Sequence, residues 1–210
     1  MSPLPNRVTP LSELIADPAR GLVYGNRGCL HDSRRNIRRF YNGKRWISCR
    51  LAFRGWHRKE LMQPGRFTEL FFLDEATALA AGHRPCALCR RDDYNAFVGL
   101  WKRRHPEHQG ADTLDAFLHW QRLDQSTRRR MIHHAPAASL PEGTFVLAYG
   151  HPHVVIGDAL RPWTPAGYGS PQPRAGNGDV ELITPPSTVA VLRDGWISTA
   201  VPFIHPSAYV

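Results

Sequence analysis

Asp74-Glu75-Ala76-Thr77-Ala78-Leu79-Ala80-Ala81-Gly82-His83-Arg84-Pro85-Cys86-Ala87-Leu88-Cys89 is the stretch on which the fold turns. Its alanine-rich run from Asp74 to Ala81 predicts a helix, with acids in the first turn where the helix dipole is positive. Gly82 predicts the stop, because glycine takes the left-handed conformation that ends a helix at no steric cost. Pro85 stiffens the turn that follows. Cys86 and Cys89 then form a Cys-x-x-Cys knuckle, and two thiolates at this spacing can hold one soft divalent ion from the same turn. A redox pair normally opens a helix after a strand. Here the pair follows a helix and a turn, so metal binding is the favoured reading. Two further ligands must come from elsewhere.

Four cysteines in 210 residues are too few for a disulfide scaffold. Cys49 supplies a third thiolate. It lies in Arg45 to Phe53, whose alternation predicts a strand with Ile47, Cys49, Leu51 and Phe53 on one face. Trp46, Ser48, Arg50 and Ala52 share the other. Cys29 and His31 compete for the fourth place, since four thiolates and three thiolates with one imidazole are equally sound chemically.

The formal net charge is +9, which favours a polyanionic partner, nucleic acid first. Eleven Lys and Arg fall between Arg27 and Lys59, with Asp32 the only acid among them. Phe40, Tyr41, Trp46, Phe53 and Trp56 are interleaved with these cations. Arginine forks suit phosphate oxygens and aromatic faces suit bases, so Arg34, Arg35, Arg38, Arg39, Arg45 and Arg50 are the candidate nucleic-acid contacts. No apolar run is long enough to span a bilayer, and the first residues lack the apolar core of a secretory signal. The expected setting is the cytoplasm, with no membrane partner.

Along the chain, Leu11 to Ala19 predicts a short helix capped by Ser12. Gly21 to Gly25 and Thr68 to Phe72 predict strands, and Arg34 to Tyr41 a basic turn or short helix. Asp92 to His105 predicts a helix with Tyr94, Phe97, Val98 and Trp101 on one face, and Thr113 to Arg122 another. His133 to Pro136 reads as a break. Beyond it, Gly143 to Tyr149 and His153 to Ile156 predict a hairpin turning at Gly150-His151-Pro152. Ala159 to Pro173 reads as a rigid Pro/Gly-rich loop, Asp179 to Thr184 as a strand, and Ser187 to Asp194 as a helix. The tail from Phe203 to Ser207 is expected to dock. His83 reads as a turn residue. His119 and Arg122 share a helix face, with Asp115 one turn before, and packing is favoured over acid/base work.

The segment from Glu75 to Cys89, Glu-Ala, a small-residue helix and Gly-x-Arg-Pro-Cys-x-x-Cys, resembles the zinc domain of the Ada DNA-methylphosphotriester repair proteins. It is also similar to related zinc modules appended to some bacterial nucleases. Upstream, Gly28-Cys29-Leu30-His31 resembles the strand that carries that family's first ligand. The resemblance covers about residues 20–92. In its register His31 takes the first ligand place and Cys49 the second, beside Cys86 and Cys89. It implies a zinc-stabilised, DNA-facing module with a role in DNA repair. That family has cysteine at the first place, where the thiolate accepts a methyl group. An imidazole there is a far poorer acceptor, so methyl transfer does not carry over.

The reading is thus an α+β protein. An Ada-like zinc module spans residues 20–105, a helical extension 106–135, and a small β-rich unit 140–210. The expected function is zinc-dependent binding of DNA, or RNA, through an arginine-rich face, with a structural site of His31, Cys49, Cys86 and Cys89. The alternative is an enzyme acting on nucleic acid: a nuclease, a base-excision activity or an alkyl acceptor.

Overall fold

A computed structural model describes residues 2–55, 60–107, 110–174, 176 and 178–210. Trp56, Arg58 and Lys59 of the basic run lie outside the described residues. The class is mixed α and β, with two sheets and four α-helices among the described residues.

The first sheet has the order β2-β1-β5-β3-β4-β6. Its strands are β1 (Arg7–Val8), β2 (Leu14–Ile15), β3 (Val23–Asn26), β4 (Ile47–Cys49), β5 (Leu70–Phe72) and β6 (Arg84–Pro85). β1 runs parallel to β5 and β4 parallel to β6, and the other pairs are antiparallel. The helix that precedes β6 is α1 (Glu75–Ala80).

Every residue of α1 is buried. A helix enclosed on all sides needs small residues so that its neighbours can approach, which accounts for the alanine run. Ala76 and Ala80 join one apolar cluster, Ala78 and Ala81 a second, and Leu79 a third. Enclosure also demands partners for the free backbone groups at both ends. Asp74 caps the Thr77 amide at 2.8 Å, and the Glu75 and Ala76 amides donate to the carbonyls of Pro202 and Phe203. At the other end Gly82 (φ 81°) forms the expected stop, with His83 N–H bonding Ala78 O and Gly82 N–H bonding Leu79 O. The carbonyls still free there are taken by distant side chains: Ala80 by Arg130, Ala81 by Ser12 and Gly82 by Arg122.

Two helices follow β6, α2 (Arg91–Arg104) and α3 (Ala111–Arg122). They pack with α4 (Pro186–Arg193) through Phe97, Trp101, Leu114, Leu118 and Val191. The second sheet is antiparallel, in the order β11-β10-β9-β8-β13-β7, with β12 beside β10. Its strands are β7 (His133–Pro136), β8 (Phe145–Ala148), β9 (His151–Ile156), β10 (Ala159–Thr164), β11 (Gly167–Tyr168), β12 (Gln172–Pro173) and β13 (Asp179–Leu182). Tyr149 (φ 50°) and Gly150 (φ 76°) form the hairpin turn, one residue earlier than expected. Leu73, Ala76 and Ala80 share a cluster with Phe145, Val154, Ile183 and Ile204, so one core crosses the boundary read near residue 140. The tail docks as expected: His205 N–H donates to Asp74, and Ala208 is buried.

Three local expectations fail. Residues 11–19 contain the short strand β2 and no helix, because Ser12 adopts a left-handed backbone (φ 71°) and turns its hydroxyl inward to Ala81 O at 3.0 Å. His133 to Pro136 is strand β7, paired with β13. The Pro/Gly-rich loop is largely strands β10 to β12, where Pro162 faces His153 and its carbonyl accepts from Gly169.

Candidate metal centre

The parallel pairing of β4 with β6 sets the geometry. Ile47 faces Arg84, Ser48 faces Pro85, and the Cys86 amide donates to Ser48 O at 2.9 Å. That register brings Cys49, at the end of β4, against the knuckle. The sulfurs of Cys49, Cys86 and Cys89 lie within 4.8 Å of one another, and all three residues are buried. A tetrahedral ion with metal–sulfur bonds of about 2.3 Å needs its sulfurs about 3.8 Å apart. A small adjustment reaches that spacing.

The donors around the sulfurs also fit a cation. The Leu88 amide donates to Cys86 Sγ at 3.4 Å, and the Arg50 amide donates to Cys89 Sγ. Hydrogen bonds from Cys49 and Cys89 hold the Cys86 thiol well below the usual thiol range. The same bonding, with burial, pushes the Cys49 thiol up. Metal ligation needs thiolates, so a divalent ion favours loss of the thiol protons.

Behind the knuckle lies a buried polar clamp. Arg90, directly after Cys89, is fully buried. It reaches Glu75 Oε2 at 2.6 Å, Ser48 Oγ at 2.9 Å, Asp93 Oδ2 at 2.8 Å and Ser198 Oγ at 2.9 Å. Glu75 in turn accepts from Ser48 Oγ at 3.1 Å. The clamp ties both sulfur-bearing segments to α1 and to the tail. The sequence signals for it are the arginine after the second cysteine and the serine before Cys49, neither singled out beforehand.

His31 is not brought to the sulfurs. Its Nδ1 lies 2.6 Å from Thr68 Oγ1 and its Nε2 3.2 Å from Gln63 O, so both ring nitrogens are engaged elsewhere. Cys29 is also outside the group, with its Sγ 3.8 Å from His31 O. Among the described residues the metal-capable group therefore has three members, in place of the four read from the sequence. Beside the sulfurs is a cavity of about 500 Å³, lined by Tyr24, Ile47, Phe53, Phe67 and Phe71, with Arg50 and Glu69 as polar lining. Ile47, Cys49, Leu51 and Phe53 all line it, but β4 ends at Cys49, and Arg50, read on the opposite face, lines it too. The opposite side of that strand is buried too, since Trp46 and Ser48 are fully enclosed.

The basic face is mixed. Arg34, Arg38, Arg39, Arg45 and Arg50 are exposed and Arg35 half-buried. Arg35 pairs with Glu60 at 3.1 Å, Arg38 with Asp32 at 2.7 Å and Arg45 with Asp112 at 3.3 Å. Arg34, Arg39 and Arg50 form no ion pair among the described residues. Trp46 is enclosed beneath Arg27 and Arg122, so it offers no face to a base.

Two histidines are held neutral. Burial, with Arg27 and Arg122 nearby, pushes His83 well below its ordinary range, and burial beside Arg122 brings His119 down to about 4. The unfolded chain then binds more protons below pH 6.5. Their contribution is complete above that pH and is lost as pH falls toward 4, at about 1.4 kcal/mol per pH unit for each histidine. Urea unfolding of wild type and His83→Phe between pH 7 and 4 is expected to show a shallower decline in the variant.

No helix among the described residues is long and apolar enough to cross a membrane. No protein-family model matches this chain, and comparison with curated proteins and with solved structures returns no match either.

Proposed function

We propose that the protein binds zinc through Cys49, Cys86 and Cys89 and binds nucleic acid, DNA ahead of RNA, through its exposed arginines. The observation that carries the metal reading is the convergence of three sulfurs from two segments 37 residues apart, Cys49 and Cys86. Buried thiolates with amide donors suit zinc better than hard cations such as magnesium or calcium. The ion would fix the end of β4 to the knuckle. The resemblance to the Ada zinc domain supports the DNA partner and a role in repair. Of the six candidate arginines, Arg34, Arg39 and Arg50 form no ion pair among the described residues, so they supply the phosphate contacts.

Binding should then weaken with salt. Each phosphate contact adds about 0.9 to the slope of log affinity against log salt concentration. Removing all three arginines as alanines is expected to lower the slope by about 2–3 in an anisotropy titration. A wild-type protein that binds neither DNA nor RNA at low salt would sink the nucleic-acid reading and leave the metal reading standing.

One observation favours the alternative, an enzyme acting on nucleic acid. The three sulfurs border the 500 Å³ cavity, and no fourth protein donor joins them among the described residues. A zinc ion with an open position supplies Lewis-acid chemistry. Incubation with intact and damaged oligonucleotides, followed by mass analysis of protein and nucleic acid, separates the two readings.

A further inference from the structure

A second site lies on the opposite flank of β4, away from the sulfurs. Three arginines, Arg27, Arg122 and Arg130, converge behind Gly82. A Cβ placed at Gly82 would lie 2.8 Å from Arg122 Cδ and 3.2 Å from Arg130 Nη1. Arg27 and Arg122 both lie over the Trp46 ring, at 4.6 and 4.1 Å. The carbonyls they hold are neutral: Ser12, Gly82, Lys44, Ala80 and Ile183. Arg27 Nε and Nη1, Arg122 Nε, and Arg130 Nε and Nη1 are buried with no partner. The carboxylate that acts on Arg122, Asp115, is committed to a two-pronged pair with Arg84 at 3.0 and 2.7 Å. A guanidinium keeps its proton in proteins. The block is therefore a buried positive charge without a matching anion, and a low-dielectric interior carries that field outward.

The field reaches the surface at a polar pocket of about 360 Å³ lined by Tyr41, Lys44, His119, Leu123 and Arg128 among others. Arg122 joins block to pocket, because its Nη2 lies 3.2 Å from His119 Nδ1. A guanidinium can only donate, so His119 Nδ1 accepts and the proton sits on Nε2. His119 is thus a neutral donor at the pocket wall. Lys44 and Arg128 are exposed cations. Arg128 sits in a left-handed conformation (φ 55°), unusual outside glycine. Its loop is pinned by Asp124, whose Oδ1 accepts from the amides and hydroxyls of Ser126 and Thr127. Asp124 is the one acid in the lining, and those four donors occupy that oxygen. Tyr41, its ring 4.9 Å from the His119 ring, and Leu123 add an apolar wall.

The geometry points to a phosphomonoester site. Lys44 and Arg128 hold the dianion, His119 Nε2–H donates to it, Arg122 supplies charge from behind, and Tyr41 with Leu123 packs against the attached organic group. A free 5′-nucleotide and the 5′-phosphorylated end of a strand present the same chemistry. This site stands apart from the metal reading.

The test is a thermal-shift and calorimetric titration at fixed ionic strength with adenosine 5′-monophosphate, adenosine, and a short oligonucleotide carrying either a 5′-phosphate or a 5′-hydroxyl. Adenosine 5′-monophosphate is expected to bind and raise the midpoint and adenosine to do neither, and the 5′-phosphorylated strand is expected to bind more tightly than the 5′-hydroxyl strand, which has only the exposed arginines to hold it. If only the nucleotide gains affinity from its phosphate, the source is a free metabolite; if the strand gains more from its 5′-phosphate, it is a strand end. Lys44→Ala and Arg128→Gly are each expected to weaken binding at least tenfold. Glycine suits the φ of residue 128, so the second variant removes the cation and keeps the loop. Absence of binding by both phosphorylated probes, equal binding of their unphosphorylated counterparts, or unchanged affinity in both folded variants overturns the proposal.

Discussion

Glu75→Ala is expected to destabilise the protein by about 3–5 kcal/mol, the cost of leaving a buried charge without its partner. Arg90 and Glu75 are both fully buried, 2.6 Å apart. Asp93 still pairs with Arg90, but it also serves the amides of Thr199 and Ala200 and the hydroxyl of Thr199. A loss of this size is a large share of the 5–15 kcal/mol that a domain typically has. Glu75→Gln keeps shape and one acceptor, so a smaller cost of about 1–3 kcal/mol is expected. Both variants loosen Ser48 and Arg90, the neighbours of two of the candidate metal-binding cysteines, Cys49 and Cys89. A 10- to 100-fold fall in metal affinity should accompany the glutamine change, about what other proteins lose with an outer hydrogen-bond partner. Urea unfolding and competition with a chromophoric chelator measure the two effects separately. An alanine variant as stable as wild type would remove the clamp from the account.

Stripping the metal is expected to lower the thermal midpoint by about 8–16 °C. An ion present at about a thousand times its dissociation constant stabilises the bound state by about 4 kcal/mol. For a chain of this length each kcal/mol moves the midpoint by about 2–4 °C. The apo protein should keep its helical cluster and second sheet, because neither depends on the sulfurs. Its first sheet should loosen at β4 and β6, where the three sulfurs become mutually repelling or protonated thiols. Differential scanning calorimetry before and after chelation, with amide exchange to locate the change, tests both statements.

The central helix was legible because its signals are local. An alanine run, an acidic first turn and a glycine stop need no knowledge of the rest of the chain. The knuckle and the inward side of Cys49 were legible for the same reason, since spacing and a two-residue period place them. What misled was tertiary. Ser12 looks like a helix cap, yet it is drawn inward as the partner of Ala81 O, in a fold whose buried helix needs one. His133-His134-Ala135-Pro136 has poor strand propensity, and β13 recruits it by pairing. Arg27 sits in the basic run read as facing nucleic acid, yet it is enclosed over Phe40 and Trp46. His31 has the right chemistry for a ligand, but Thr68 and Gln63 hold its ring away from the sulfurs. No periodicity records a hydrogen bond to a residue 37 positions away.

The most direct test of the account is native mass spectrometry of the purified chain and its single-site variants. One zinc per wild-type chain is predicted, lost in Cys49→Ser, Cys86→Ser and Cys89→Ser and kept in Cys29→Ser and His31→Ala. A wild-type chain isolated without metal under zinc-replete conditions, or a Cys49→Ser chain that still holds its ion, would contradict it.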